Sequence, residues 1–138
     1  MRWILVFTFL MPVIAIADDA CPSGFEQFLE KFESDRVFQQ AHIKNPLKYT
    51  FLDYQAQPEP KKREKQLGQT AVARLKEAIF PLRPMQSAHG LSLRKIKELP
   101  SHQMWVQLAK PDTGYQLDFY FERTAVCWTL AEYSDLSM

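Results

Sequence analysis

The sequence predicts an α+β fold in which helices pack on one face of a curved antiparallel sheet. Apolar side chains recur at helical spacing near the N-terminus and alternate with polar ones from Leu91 onward. Short connections join the alternating stretches, which favours antiparallel neighbours. The predicted order is helix, short helix, strand, helix and then four strands, as is typical of α+β domains.

Residues 1–17 have the features of a secretory signal peptide. A positive charge at Arg2 precedes an uninterrupted run of uncharged, mostly apolar residues, and residues 15–17 form an A-x-A cleavage motif. Cleavage there leaves residues 18–138 as a single α+β domain, which is long enough to bury a core. We therefore expect a periplasmic or secreted protein.

The alternative interpretation of this segment is a membrane anchor. Its uncharged run covers only residues 3–17 and contains Pro12, whereas a spanning helix needs about 20 residues. No later stretch of the sequence is apolar enough to span a bilayer, so we expect no membrane span after signal cleavage.

The two cysteines, Cys21 and Cys127, are most simply a disulfide in an oxidising compartment. The alternative is a pair of unpaired buried thiols. A redox role is disfavoured because the sequence has no C-x-x-C motif. The disulfide would attach the N-terminus of the exported domain to its last predicted hairpin.

The charge is balanced, with 17 Lys and Arg against 16 Asp and Glu. Loss of Arg2 with the signal peptide brings the formal charge to about zero. A neutral domain has no long-range attraction for nucleic acid or an anionic membrane, so nucleic acid is not an expected partner.

The first helix begins near Ser23 and Glu26, whose spacing is that of a capping box. Its apolar stripe consists of Phe25, Phe28, Leu29 and Phe32. Residues 34–35 are an N-cap signal for a short second helix that ends near Ala41.

The middle of the chain alternates between strand and helix signals. Asn45-Pro46 interrupts the helical pattern, and residues 47–54 alternate as a strand that places Tyr49 and Phe51 on one face. The charged residues 55–65 indicate a solvated loop or the start of a helix rather than a binding patch. A helix is then expected over residues 67–80, ended by prolines at positions 81 and 84.

The last third of the chain predicts a meander of four strands, at residues 91–99, 102–109, 115–123 and 125–133.

Two stretches, FEQFLEKFESDRVFQQAHIKNPL and FYFERTAVCWTLAEYSDLS, carry a resemblance to known proteins. The first is similar to the opening of an uncharacterised family of exported bacterial proteins. The second resembles the last hairpin of that family and of the wider nuclear-transport-factor-2-like superfamily. The matching positions of that hairpin are Phe119, Phe121, Trp128, Leu130, Asp135 and Ser137. The chain departs from the pattern at its turn, which lacks the usual glycine, and at Cys127, where a polar residue is common.

This resemblance implies a cone, with the curved antiparallel sheet wrapped around the N-terminal helix and a pocket at its open end. It implies no particular activity, because that superfamily includes enzymes, transport factors and binding modules on one scaffold.

Catalytic motifs and metal-ligand spacings are absent from the sequence. The histidines His42, His89 and His102 form no metal-binding pattern, so we expect no metal and no cofactor. Acid–base chemistry in the cone is the one enzymatic alternative, with Tyr49, Asp53, His102 and Asp118 as candidates. Alternation directs Asp118 to solvent, which leaves Asp53 as the best of them.

Aromatic residues are abundant, and most of them fit the core, although they could also line an apolar cavity. The residues that we expect at a pocket or contact surface are Tyr49, Phe51, Asp53, Trp105 and Trp128. The preferred function is a non-enzymatic binding protein for a protein or peptide partner in the cell envelope, of which an immunity or inhibitor protein is one version. The alternatives are a carrier of an apolar small molecule, a cone-pocket acid–base enzyme and a self-associating structural component.

Overall fold

The computed structural model of the protein describes residues 21–137. The predicted signal peptide, residues 1–17, lies outside the described residues. The helices are α1 (Phe25–Phe32), α2 (Arg36–Ala41), α3 (Gln69–Ala73) and α4 (Arg83–Ala88), with a 3₁₀ turn at Pro100–His102. The strands are β1 (Ile43–Asp53), β2 (Lys61–Leu67), β3 (Leu93–Leu99), β4 (Gln103–Ala109), β5 (Gln116–Arg123) and β6 (Trp128–Asp135).

The six strands form one curved sheet in the order β2-β1-β6-β5-β4-β3. The predicted meander is confirmed, since β3 to β6 pair as antiparallel neighbours. The prediction of a wholly antiparallel sheet was wrong, because β1 runs parallel to β6. These two strands are distant in sequence, so no short turn fixes their relative direction. The fold is α+β with a mixed sheet.

The two N-terminal helices form where they were predicted, but their caps differ. The capping box of Ser23 and Glu26 is not formed, since Gly24 occupies the N-cap of α1 without a side-chain hydrogen bond. At α2, the Asp35 carboxylate accepts hydrogen bonds from the backbone N–H of Val37 at 3.0 Å and of Phe38 at 3.1 Å.

We expect the two cap residues to respond differently to substitution by alanine. Asp35→Ala removes both of these acceptor contacts and should lower the free energy of unfolding by about 1 kcal/mol. Ser23→Ala should change it by less than about 0.5 kcal/mol. Urea denaturation of the two variants measures the difference, and equal effects would contradict the assignment of Asp35 as the cap.

The first strand is longer than predicted, and part of the charged segment forms a strand that was not predicted. The strand β1 begins at Ile43 and runs through Asn45-Pro46, which the sequence marked as a break. Residues 61–67, predicted as a loop or the start of a helix, form the edge strand β2, antiparallel to β1. Lysine and arginine are well suited to an edge strand because their charges oppose pairing with another chain.

The helix predicted over residues 67–80 is wrong except for the five residues of α3. Beyond it, side chains from α2 replace the hydrogen bonds that a helix would make. The Gln39 amide bonds both the N–H and the C=O of Phe80, at 3.3 and 2.9 Å. The Arg36 guanidinium donates to the carbonyls of Leu75 and Lys76, at 2.6 and 3.1 Å.

The prolines expected to end that helix instead introduce a helix that the sequence analysis missed. The first turn of α4 contains Pro84, a position where the missing N–H of proline costs no hydrogen bond.

The inner face of the sheet is filled by aromatic rings. Phe80 is fully buried, with ring centroids 5.6 Å from Phe32 of α1 and 4.4 Å from Phe119 of β5. Phe121 lies 5.9 Å from Phe28 in an edge-to-face contact. Offset and edge contacts of this kind are the favoured geometries of aromatic pairs.

A buried carboxylate connects α1, α4 and β3. Glu33, at the C-terminus of α1, has no exposed surface. Its oxygens accept from Arg83 at 2.6 and 2.8 Å, from Gln86 at 3.0 Å and from both terminal nitrogens of Arg94. Its backbone C=O also accepts from Arg83 N–H at 3.0 Å. The acidic residue thus holds together three elements that are far apart in sequence.

The predicted disulfide is confirmed. Cys21 and Cys127 are bonded, with their Cα atoms 5.3 Å apart, and both pack against the core near Trp128. Within residues 21–137 no helix has the combination of length and apolar character that is needed to cross a membrane.

Candidate functional site

A ladder of four aromatic rings crosses the inner face of the sheet. Phe51 and Tyr49 of β1, Tyr133 of β6 and Phe119 of β5 have successive ring centroids 5.3, 5.1 and 5.1 Å apart. The ladder follows from strand register, since Tyr49 pairs with Tyr133 and Tyr133 pairs with Phe119. Side chains of directly paired residues on one face lie close enough to stack.

The irregular segment at residues 77–79 lines two recesses together with Tyr133 of the ladder. One recess, of about 260 Å³, is lined by Tyr49, Lys65, Leu75 and Tyr133 among others. The other, of about 390 Å³, reaches toward Tyr115. Both share Tyr133 and residues 77–79. We call the two recesses together the tyrosine groove, after Tyr49 in the first recess, Tyr115 in the second and Tyr133 in both.

The three tyrosine hydroxyls of this groove have no protein hydrogen-bond partner among residues 21–137. Burial raises the pKa of each hydroxyl, and the negative charge of Asp135 raises it further. The effect is largest at Tyr133, which is the most buried of the three. The hydroxyls therefore stay protonated at neutral pH and are available as donors to a bound group.

The structure brings together three of the five expected contact residues. Tyr49 and Phe51 stack in the ladder, although only Tyr49 lines the groove, and Asp53 lies two residues beyond Phe51 on β1. The Asp53 carboxylate is 3.4 Å from the Nε of Arg63 on β2 and also accepts from the N–H of Gln55.

The two tryptophans lie elsewhere. Trp128 is buried in the core, with its ring 5.1 Å from that of Phe25. Trp105 is half-buried on the outer face of the sheet, in register with Tyr120 of β5. Neither tryptophan belongs to the tyrosine groove.

The expectation that Asp118 points to solvent is wrong. It lies on the outer face, as alternation predicted, but only 7% of its surface is exposed. Its carboxylate accepts from the indole N–H of Trp105 at 2.8 Å and from the amides of Gln107 at 3.0 Å and Gln116 at 3.2 Å. Large neighbouring side chains cover the carboxylate and replace its hydration.

Sequence reasoning missed Tyr133 as a site residue and placed Tyr115 only among the aromatic residues that could line a cavity. A register irregularity between β5 and β6 pairs Phe121 with Leu130 but Tyr120 with Glu132, so one residue of β6 is extra. This bulge moves Tyr133 to the same face as Leu130, although simple alternation would separate them. Tyr115 lies one residue before β5 and in alternation with Leu117, which lines the same recess.

The described part of the chain contains no group of three or more histidine, cysteine or acidic residues arranged to hold a metal ion.

Comparison with known proteins identifies the class of fold. An NTF2-like protein from Bacteroides fragilis aligns with 83% of this chain at a TM-score of 0.58 and 22% identity. The aligned region spans 47% of that protein, so the chain corresponds to about half of its length. A solved chain from work on de novo design of proteins with diverse pocket structures has 9% identity, covers 82% of this chain and 94% of its own, and has a TM-score of 0.39, too low to support an argument.

No family model matches the sequence, and neither does any curated protein at a significant level. The chain has an NTF2-like α+β fold. Membership of the exported bacterial family stays a prediction. At this level of identity the likeness shows the fold alone. The role of the tyrosine groove has to be inferred from the residues that line it.

Proposed function

We propose that the protein is an exported, non-enzymatic binding protein that engages a protein or peptide segment in the tyrosine groove. The observation that carries this proposal is the combination, in two adjoining recesses, of an aromatic ladder with three tyrosine hydroxyls that lack protein partners among residues 21–137. Apolar walls with a few convergent polar groups are the usual composition of a binding site. Tyrosine is favoured in such sites because it offers a large rigid surface and one polar atom.

The proposal includes a cone-shaped arrangement, with the curved sheet around α1 and the tyrosine groove at its mouth. Phe80 and its aromatic neighbours fill the interior behind the groove. A filled interior suits a partner that inserts side chains at the mouth better than a ligand enclosed within the cone. The pairing of Asp53 with Arg63 supports a binding role over acid–base catalysis, because the carboxylate is already engaged.

The Cys21–Cys127 disulfide supports the exported part of the proposal, since disulfides persist in oxidising compartments. The proposed partner is therefore a protein or peptide of the cell envelope. An immunity or inhibitor protein that neutralises such a partner is one form of this function.

A random peptide library selected on the oxidised protein tests the proposal. Selected peptides should shift the amide resonances of Tyr49 and Tyr133. The variant Ala78→Trp fills the groove and should weaken binding at least tenfold, whereas the control Ala125→Trp, in the exposed turn before β6, should not.

Peptides that bind equally to both variants, or a library that yields none, would overturn the proposal. Native mass spectrometry of protein isolated from the periplasm distinguishes a small-molecule carrier from the proposed peptide-binding protein. A ligand of a few hundred daltons that is retained natively and lost on denaturation would favour an apolar small-molecule carrier.

A further inference from the structure

The strand β3 forms one edge of the sheet, and its outer side is unpaired. It pairs with β4 alone, and within residues 21–137 no other backbone hydrogen bond reaches it. Its register with β4 is continuous over all seven residues, which include no proline. Residues 93–98 are exposed. An edge of this length without a bulge can accept a further extended strand, through the backbone N–H and C=O groups that point away from the sheet.

Two unpaired cations lie on one face of this edge. Lys95 and Lys97 are in register with Gln107 and Trp105 of β4, so both side chains lie on the outer face of the sheet. Both are exposed, and neither makes an ion pair with a residue of the described chain. Ile96, between them, lies on the inner face with 39% of its surface exposed. The edge therefore presents two positive charges on one face and an incompletely buried apolar side chain on the other.

The opposite edge of the sheet, β2, is charged in a different way. Its Arg63 pairs with Asp53, and its Lys65 ammonium lies over two aromatic rings of β1. The remaining lysines of β2, Lys61 and Lys62, are adjacent, so they lie on opposite faces. The strand β2 thus has no pair of unengaged cations on one face, and its exposed side chains are all polar.

We propose that β3 is a docking edge for an extended acidic segment of another protein, which pairs with it as a seventh strand. Two acidic side chains at alternate positions of that segment would lie opposite Lys95 and Lys97, and an apolar residue between them would cover Ile96. Lysines on an edge oppose pairing with neutral or cationic strands, whereas an acidic strand turns the same charges into cross-strand pairs. No residue of β3 lines the tyrosine groove, so this inference is independent of the proposed function.

A second copy of this chain is a less suitable occupant of the edge. Antiparallel pairing of two β3 strands centred on Ile96 places Lys95 of each copy opposite Lys97 of the other. Moving the centre by one residue places one of these lysines opposite its own counterpart. Like charges directly opposite each other destabilise a strand pair. The charge of the edge thus favours an acidic partner over self-pairing.

Two acetylated heptapeptide amides, VTEVETV and VTKVKTV, test this inference by NMR titration of the oxidised protein. Each sequence reads the same in both directions, so no strand direction has to be assumed. The glutamate peptide should shift the amide resonances of residues 93–99 and slow the exchange of those amides that point away from β4. It should bind about tenfold more tightly than the lysine peptide, since two favourable cross-strand pairs replace two repulsive ones. The difference should narrow at high salt because both lysines are exposed.

Matched variants separate the charge of β3 from that of the rest of the protein. The double variant Lys95→Gln/Lys97→Gln should remove the preference for the glutamate peptide. The control Lys61→Gln/Lys62→Gln makes the same change of charge on the other edge strand and should preserve the preference. All four lysines are exposed, so neither variant disturbs the core.

A third peptide, VTEPETV, separates strand pairing from attraction by charge alone. It keeps both glutamates, but its proline cannot extend a ladder of backbone hydrogen bonds, so it should leave amide exchange in β3 unchanged. Equal binding of VTEPETV and VTEVETV, or of the glutamate and lysine peptides, would contradict the inference. It would also be wrong if the glutamate peptide failed to bind or bound outside β3, or if the free protein dimerised through this edge.

Discussion

Replacing Glu33 with alanine is expected to lower the free energy of unfolding by about 3–5 kcal/mol, the range observed when one partner of a buried ion pair is removed. The Glu33 carboxylate is fully buried and accepts from Arg83, Gln86 and Arg94. Without it, the Gln86 amide and the Arg94 guanidinium lose their common acceptor inside the protein. Urea denaturation of the oxidised protein measures the loss.

The matched control is Glu30→Ala, an exposed glutamate on the same helix. It changes the helix in the same way but removes no buried contact, so its effect should stay below about 0.5 kcal/mol. Arg83→Ala should cost less than Glu33→Ala because the Arg83 side chain is 58% exposed. Similar losses for Glu30→Ala and Glu33→Ala would show that the buried cluster does not stabilise the fold.

The same cluster predicts the direction of a pH effect. Burial alone would raise the pKa of the Glu33 carboxyl. Hydrogen bonds from Arg94 and Gln86 and the charges of Arg94 and Arg83 outweigh this and hold the pKa below its ordinary value of 4.5. The folded state then binds fewer protons than the unfolded state, so the Glu33 contribution is complete above pH 4.5 and is lost as the pH falls through the folded pKa. The stability difference between wild type and Glu33→Ala should shrink correspondingly in acid.

Glu33 also shows what a closer reading of the sequence could have found. It lies four residues after Leu29, in register with the apolar stripe of α1. A charged residue at such a position must be buried or distort the stripe, and a buried carboxylate needs partners. The sequence could not identify those partners, because Arg83 and Arg94 lie 50 and 61 residues away along the chain.

Strong periodicity explains which elements were predictable. The stripe of α1 and the four alternating strands each bury one face, so local sequence determines them. The edge strand β2 has no apolar alternation, and its pairing with β1 alone makes it a strand. The segment after α3 has a helical pattern, but Gln39 and Arg36 hold it in another conformation. Contacts between distant residues override local preference in both cases.

The candidate site was half predictable for the same reason. Tyr49 and Phe51 follow from the alternation of β1. The position of Tyr133 depends on a bulge, and that of residues 77–79 depends on hydrogen bonds from α2. Neither feature has a local sequence signal, so the groove could not be predicted without the strand register and the contacts of α2.

Loss of the disulfide, like the Glu33→Ala substitution, is expected to lower the free energy of unfolding by several kcal/mol. Replacing Cys21 and Cys127 together with alanine removes a link between residues 106 positions apart. The chain-entropy model gives about 4–5 kcal/mol for a loop of this length, as an upper figure. We expect the double variant to unfold at a correspondingly lower urea concentration than the oxidised wild type.

Reduction provides the internal control for this effect. A thiol reductant should lower the stability of the wild type toward that of the double variant and leave the variant unchanged. The oxidised wild type should also be lighter than its reduced form by the two thiol hydrogens. Alkylation of both cysteines without reductant would contradict the bond.

The disulfide joins the segment before α1 to the loop before β6. Its loss should therefore loosen the packing of Phe25, at the start of α1, against Trp128, at the start of β6. Amide exchange in these two segments should therefore rise more than in β4, which the bond does not constrain directly.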